Sequence, residues 1–277
     1  MTGVILALAE HPDSVPRTLS AARTLAGLMG GARINVLAVR LPPEATIMPT
    51  EEILSRHRAT EIRDREQARV ARLHAAFEAW VPSARTPGVA IDWADIEGLA
   101  DSLVGEWGRR SDYIVLNRPG SHDGAAERLE LHAALFDTDR PVLVVPPGRS
   151  SAAAAVSFGE CVAIAWRDDR RTIRSVLAAM RLLARAREVH VLAGVREGAP
   201  APALPDILAE HGIAARLHVL PVGNGVFGET VLAQAHALGA DLLAMGAYTH
   251  NPWRELLLGG VTRHMLAHAD LPLLMRH

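Results

Sequence analysis

A chain of 277 residues is long enough for one large domain or two of ordinary size, and 49% hydrophobic residues allow a substantial core. Only 4% are aromatic, so Ala, Leu and Val must build that core, as they do where helices cover a parallel sheet. A net charge of −2 with a pI near 6.7 excludes a dominant basic stripe, so neither nucleic acid nor an anionic membrane is expected as the main partner.

Cys161 is the only cysteine and cannot form an internal disulfide, which points to a reducing compartment. The apolar run Val4–Leu8 is far too short for a signal peptide or a membrane span. A soluble, cytoplasmic protein is expected.

Short apolar runs alternate with longer amphipathic stretches along the chain. Val4–Leu8 reads as a buried strand, and helical spacing follows over Ser14–Met29 until Gly30-Gly31 stops it. Ile34–Val39 is the next strand. Thr50–Trp80 is a long charged stretch with apolar residues at Leu54, Ile62, Val70, Leu73 and Phe77, read as a helix with a solvated face. Val89–Trp93 (strand), Leu99–Arg109 (helix), Tyr113–Leu116 (strand), Ala125–Phe136 (helix) and Pro141–Val145 (strand) complete this half.

Pro146-Pro147-Gly148 and the small residues Ser150–Ala155 read as a linker, after which the pattern restarts. Strands are expected at Val162–Trp166, Val189–Ala193, Ala215–Leu220, Leu242–Met245 and Leu271–Met275. Helices are expected at Thr172–Ala186, Ala203–His211, Val226–Leu238 and Val261–Ala269.

Two anchors mark a repeat. Asp112-Tyr-Ile-Val-Leu recurs as Asp241-Leu-Leu-Ala-Met at an offset of 129, and Pro141 recurs as Pro272 at an offset of 131. Arg33-Ile-Asn-Val-Leu faces Glu188-Val-His-Val-Leu at an offset of 155, so roughly 25 extra residues fall within the charged stretch of the first half. A single α/β domain with coincidental similarity is the alternative. The expected fold is two tandem, doubly wound, five-stranded parallel-sheet α/β domains, over residues 1–148 and 156–277, packed through their closing strands Pro141–Val145 and Leu271–Met275. In such sheets ligands bind beyond the carboxyl ends of the strands where the strand order reverses. The places to search are therefore just after Trp166, Ala193 and Met245.

The segment from Met245 to Thr262 is the most informative. Gly246 follows a buried strand, where a bare backbone can turn away and approach a ligand closely. Asn251-Pro252 has the form of a helix N-cap and first residue. Gly259-Gly260 then opens the helix Val261–Ala269, whose unpaired N–H groups and positive dipole end suit an anion.

This segment resembles the nucleotide loop of universal stress proteins, which carries Gly, two residues, Gly, nine residues and Gly-Ser/Thr. The match covers Gly246, Gly259, Val261 and Thr262, whereas Thr249 stands at the usual second glycine and Gly260 at the usual serine. The resemblance runs over essentially the whole chain, although the motif is readable only in the second half. It implies an adenine nucleotide α-hydrolase-like fold, ATP as ligand, with or without Mg2+, and an intramolecular pseudo-dimer that can also form a homodimer. It further implies that Met245, Gly246, Thr249, Gly259, Gly260, Val261 and Thr262 hold phosphates and ribose. Ala165, Arg167 and Gly194 would flank the base. The family's base-side aspartate falls near Arg167, a departure, with Asp168 and Asp169 beside it. Arg167, Arg170 and Arg171 would instead meet a phosphate, or form a solvated turn. In the first half Glu130 occupies the anion position, so that copy is expected to be degenerate.

Three functional classes follow. The first is a non-catalytic stress protein with a regulatory nucleotide in its second domain. The second is a nucleotide-free association module, favoured by Thr249, Gly260 and Arg167. The third is a slow ATP hydrolase or phosphotransferase, for which Asp168 and Asp169 are the only nearby acids able to bind magnesium. No Gly-x-Ser-x-Gly elbow or Gly-x-x-x-x-Gly-Lys-Ser/Thr loop is present. His264 and His268 share a helix face without a third ligand in view, Cys161 reads as inert core, and Trp166 and Trp253 flank the expected pocket.

Overall fold

In a computed structural model, residues 3–46, 56–81, 87–120, 124–148, 156–247 and 260–277 are described. They fall into two compact units, residues 1–140 with 147–156, and residues 141–146 with 157–277.

Unit 1 contains β1 (Gly3–Leu8), α1 (Val15–Leu28), β2 (Ala32–Arg40), α2 (Arg56–Trp80), β3 (Val89–Glu97), α3 (Ala100–Arg109), β4 (Tyr113–Asn117) and α4 (Ala125–Phe136). Its strands lie in the order β3-β2-β1-β4, with parallel pairing of β1 to β2 and β4 and of β2 to β3. Ile5, Leu6, Ala7, Ile34, Val36, Ile114 and Val115 are wholly buried, as strands covered on both faces require. α1 starts with Pro16 in its first turn, where a missing N–H is harmless. The charged stretch forms α2, whose Val70, Leu73, Phe77 and Trp80 recur every three or four residues and are buried, while its charged positions face water. The Trp80 indole donates to Ser20 Oγ at 3.1 Å and pins α2 to α1.

Unit 2 contains β5 (Val142–Val145), β6 (Cys161–Trp166), α5 (Arg170–Leu183), β7 (Glu188–Val195), α6 (Asp206–Glu210), β8 (Arg216–Pro221), α7 (Phe227–Ala237), β9 (Leu242–Gly246), α8 (Gly260–His268) and β10 (Leu273–Arg276). The order is β5-β10-β9-β6-β7-β8. Every pair is parallel except β5 with β10, which run antiparallel with Leu274 opposite Leu143.

The strands and helices appear in the expected order, and the α/β, mainly parallel, doubly wound character holds. The expectation of two self-contained five-stranded sheets is corrected. The closing strand of the first repeat hydrogen-bonds to the closing strand of the second, so the ladder continues rather than stopping after five strands. Two short, mainly apolar terminal strands satisfy each other's edges most directly by pairing in plane.

The repeat anchors have a shared structural cause. Asp112 accepts the Val4 N–H at 2.8 Å, and its own N–H returns to the Val4 carbonyl at 2.8 Å. Asp241 accepts from the N–H groups of Gly159 at 2.8 Å and Glu160 at 3.0 Å, and its N–H returns to the Cys161 carbonyl at 2.9 Å. Each aspartate therefore fastens the start of the first strand of its repeat to the fourth.

Candidate functional site

β6 and β9 are neighbours, while α5 follows the first and α8 the second, so unit 2 has its topological switch point at their carboxyl ends. A cavity of about 1120 Å3 opens there, lined by Ala165, Arg167, Gly194, Met245, Gly246, Gly260, Val261 and Thr262 among others. The structure thus brings eight of the ten sequence-derived site residues to one cavity. Thr249 and Gly259, together with Trp253, lie outside the described residues.

The details revise several of the reasons for those residues. Gly246 ends β9 with φ outside the left-handed region, so it is not needed for a turn. A methyl group there would stand 3.4 Å from the Thr172 backbone nitrogen, an ordinary contact, so packing against α5 does not demand a glycine either. At Gly194 a methyl group would meet Phe227 at 2.7 Å and Val222 at 2.9 Å, which makes its smallness a packing requirement. Gly260 is the first residue of α8, one position earlier than expected, and a Cβ there would meet nothing within 4 Å. No acidic side chain stands in the first turn of α8, so its N–H groups and positive dipole end face the cavity without an intrahelical counter-charge.

Asp169 is the N-cap of α5. Its Oδ1 accepts from Thr172 N at 2.9 Å and Thr172 Oγ1 at 3.1 Å, and its Oδ2 pairs with Arg167 Nε at 3.2 Å. A carboxylate so occupied is poorly placed to take a magnesium ion. Arg167 is two-thirds exposed and lies over the mouth of the cavity. Trp166 is also on the lining, beside Arg171, Thr172, Arg196 and Phe227, of which Thr172, Arg196 and Phe227 were not singled out from sequence. Thr172 was legible as the partner of an N-cap at Asp169. Arg196 lies at the carboxyl end of β7, just after Ala193, whereas Phe227 reaches the cavity only through the tertiary fold.

The corresponding crevice of unit 1, beyond β1 and β4, holds polar side chains of its own. Glu10 Oε2 accepts from the Asn117 backbone N–H at 2.9 Å and from Asn117 Nδ2 at 3.3 Å, while Nδ2 also reaches Thr18 Oγ1 at 2.6 Å. Arg69 from α2 donates to the Glu10 carbonyl at 3.4 Å and to the Val39 carbonyl, and its guanidinium is clasped by Glu66 at 3.0 Å. Glu130 is buried beside them, with Glu127 near the surface and 3.5 Å from His11. Burial, then the Glu130 carboxyl, hold Glu10 well above the usual carboxylate range, against the opposing Asn117 bonds. Burial, then Glu127, push Glu130 up to about 7.

Elsewhere, His264 packs over Gly228 of α7 and stacks on His268 with ring centroids 4.3 Å apart. Among the described residues no three His, Cys, Asp or Glu side chains converge as a metal-ligand set, and no helix is long and apolar enough to cross a membrane. Cys161 is buried, and burial followed by the Asp241 and Glu188 carboxylates pushes its thiol up, consistent with inert core.

Residues 219–277, which include β9, α8 and the α8 end of the cavity, match the universal stress protein family. It is that segment which carries the likeness to universal stress proteins. Its fold over 99% of its length is similar to that of a universal stress protein from Archaeoglobus fulgidus, at 14% identity, a TM-score of 0.69 and 95% coverage of that chain. A functionally unknown protein from Pseudomonas aeruginosa is similar over 99% of this chain and 92% of its own, at 14% identity and a TM-score of 0.58. The cytoplasmic domain of a prokaryotic cation chloride cotransporter also shares the fold, with 13% identity, a TM-score of 0.54 and coverage of 99% and 95%. No curated protein matches the sequence. At these identities the structural likenesses speak to the fold alone, which they share over 99% of the chain.

Proposed function

We propose that this protein is a cytoplasmic universal stress protein whose unit 2 binds an adenine nucleotide, ATP, as a regulatory ligand and does not turn it over. The observation that carries the reading is the cavity at the switch point of β6 and β9, with the acid-free N-terminus of α8 at one end. Its volume of about 1120 Å3 accommodates a nucleotide. Gly260, Val261 and Thr262 offer backbone N–H groups for phosphate, and the Thr262 hydroxyl supplies a donor close to the one Gly260 lacks. Met245 and Gly246 would lie along the ribose. Ala165, Gly194 and Trp166 would border the base, with Arg167 above it. Thr249 and Gly259 belong to the same proposed site.

A regulatory rather than a catalytic role fits the occupied Asp169. A hydrolase needs a positioned base or a metal carboxylate set, and of the two acids expected near magnesium Asp169 is committed to capping α5 and to Arg167, which leaves Asp168 on the lining without it. Native mass spectrometry of gently purified protein tests the proposal. A chain carrying ATP, which remains unhydrolysed over hours, supports it. A protein that neither retains nor takes up nucleotide at millimolar ATP refutes it and leaves an association module as the better account. Steady release of phosphate from ATP would reassign it as an enzyme.

A further inference from the structure

We propose that Glu10 and Glu130 form a proton-sharing carboxyl pair that closes the crevice of unit 1 and loosens that unit when the shared proton leaves.

The argument begins with unsatisfied oxygens. Oε1 of Glu10 and Oε2 of Glu130 are buried, and as carboxylates they find no donor among the described residues. Both residues are more than nine-tenths buried, at 5% and 8% exposure. An ionised carboxylate so placed is costly unless it is paired and hydrogen-bonded. Yet the two side chains stand close enough to hydrogen-bond each other. Two carboxylates cannot make that bond, because neither has a hydrogen. One proton between them supplies the missing donor and removes the repulsion at once.

The charges facing the pair support this count. From α2 come Glu66 and Arg69; from α4, Glu127; and from the residue after Glu10, His11. The Arg69 guanidinium is held by Glu66 and by the Val39 and Glu10 carbonyls, and its pull on Glu130 is outweighed by burial and Glu127. His11 lies against Glu127. The fourth element, β4, contributes the neutral Asn117, and α1 the neutral Thr18. No cation is left over for the pair among these neighbours. A metal ion is disfavoured as the substitute, since these side chains do not converge as a ligand set. A proton fits where a metal does not.

The sign is fixed by linkage. Both carboxyls bind their proton more tightly in the folded than in the unfolded chain, so the folded state holds more protons and stability falls as pH rises. For Glu130 the loss begins near the ordinary value of 4.5 and is complete above about 7; Glu10 adds to it. The device is built into unit 1 and does not depend on the nucleotide proposed for unit 2.

The test compares thermal unfolding of the full chain with that of Glu130→Gln, whose amide stays neutral and can donate to Glu10. The two should melt together at pH 5. At pH 8.5 the variant should melt higher, by an amount on the order of 5–10 °C. A difference that does not change with pH overturns the proposal. So does a rise in the wild-type melting temperature at pH 8.5 on adding calcium or magnesium chloride, which would make the cluster a cation site. Should Glu130→Gln fail to fold, infrared spectroscopy of the wild type decides. A protonated-carboxyl carbonyl band at pH 6 that fades by pH 9 supports the pair, and its absence at pH 6 rejects it.

Discussion

Gly260→Glu is the substitution that best separates a ligand site from a structural glycine. Gly260 opens α8, its φ lies outside the left-handed region, and a Cβ would meet nothing within 4 Å. The side chain therefore enters without strain. A carboxylate near a helix N-terminus is worth about 0.3–1 kcal/mol, and replacing glycine in a helix adds a further 0.5–1 kcal/mol or so. The unliganded variant should melt at or slightly above the wild-type temperature. Binding should move in the opposite direction. Phosphate at this end would use the α8 N–H groups, and hydrogen bonds to a charged group are worth about 1.5–3 kcal/mol each. Losing two of them, before any charge repulsion, weakens ATP by roughly 3–6 kcal/mol, or at least a hundredfold. For the wild type, ATP at a hundred times its Kd adds about 2.7 kcal/mol of stability and a clear melting shift. Differential scanning fluorimetry with and without millimolar ATP reads both effects. A variant that keeps the wild-type ATP shift would refute the placement of phosphate on α8. A wild type with no shift would refute the nucleotide itself.

Two further outcomes follow from groups outside the cavity. Asp241→Ala removes the acceptor for the Gly159 and Glu160 N–H groups and unfastens β6 from β9, so urea unfolding should show a loss of about 1–3 kcal/mol. An unchanged midpoint would show that water replaces the carboxylate. His218 on β8 lies 3.0 Å from His190 on β7, and burial, then His190 and Arg216, lower its proton affinity. A lowered histidine in the folded state means stability is lost as pH falls below 6.5, and His218→Gln should flatten that limb of the melting profile. A variant profile parallel to the wild type would reject the assignment.

Most of the architecture was legible because parallel strands covered on both faces must be apolar throughout. Val4–Leu8, Val162–Trp166 and Leu242–Met245 could be read as strands from composition alone. The Asp112 and Asp241 anchors revealed the repeat because each makes the same strand-fastening bonds. The edge-to-edge pairing of β5 with β10 within unit 2 was not legible. An apolar terminal strand says that its edge must be covered, not whether a partner stacks over it or joins it in plane. At the site, a helix N-terminus after a glycine pair could be recognised in one dimension. Arg196 follows β7 directly, within the region after Ala193 marked for search, but Phe227 could not be recognised, since it reaches the cavity from the start of α7. Gly194 was read correctly as a small residue beside the cavity, but its neighbours Phe227 and Val222 supply a packing reason that sequence does not show. The buried carboxyls of unit 1 were half visible. Glu130 marked an anion site spoiled by charge, whereas its pairing with Glu10 spans residues too far apart for any local pattern.

That pairing bears on how many nucleotides one chain takes up. The two crevices occupy the same place in the repeat but differ in charge. Unit 2 presents the acid-free end of α8 and the small residues Gly246 and Gly260, and its lining carries Arg167, Arg171 and Arg196 alongside Asp168, Asp169, Asp206 and Glu210. Unit 1 presents Glu10, Glu127 and Glu130, with Asn117 and Thr18 already bonded into the cluster. A polyphosphate entering unit 1 would face three carboxyl groups and would have to break the Asn117 bonds to reach backbone. Charged hydrogen bonds of about 1.5–3 kcal/mol each do not offset that while the Arg69 guanidinium beside the cluster is clasped by Glu66. Titration calorimetry with ATP should therefore give one site per chain at pH 7.5. Lowering the pH to 5.5 protonates the cluster more fully and eases the repulsion, yet it fixes the hydrogen bonds that fill the crevice, so the stoichiometry should stay at one. Two equivalent sites at either pH would show that the unit 1 crevice opens readily, and would remove both the asymmetry and the carboxyl pair as its cause.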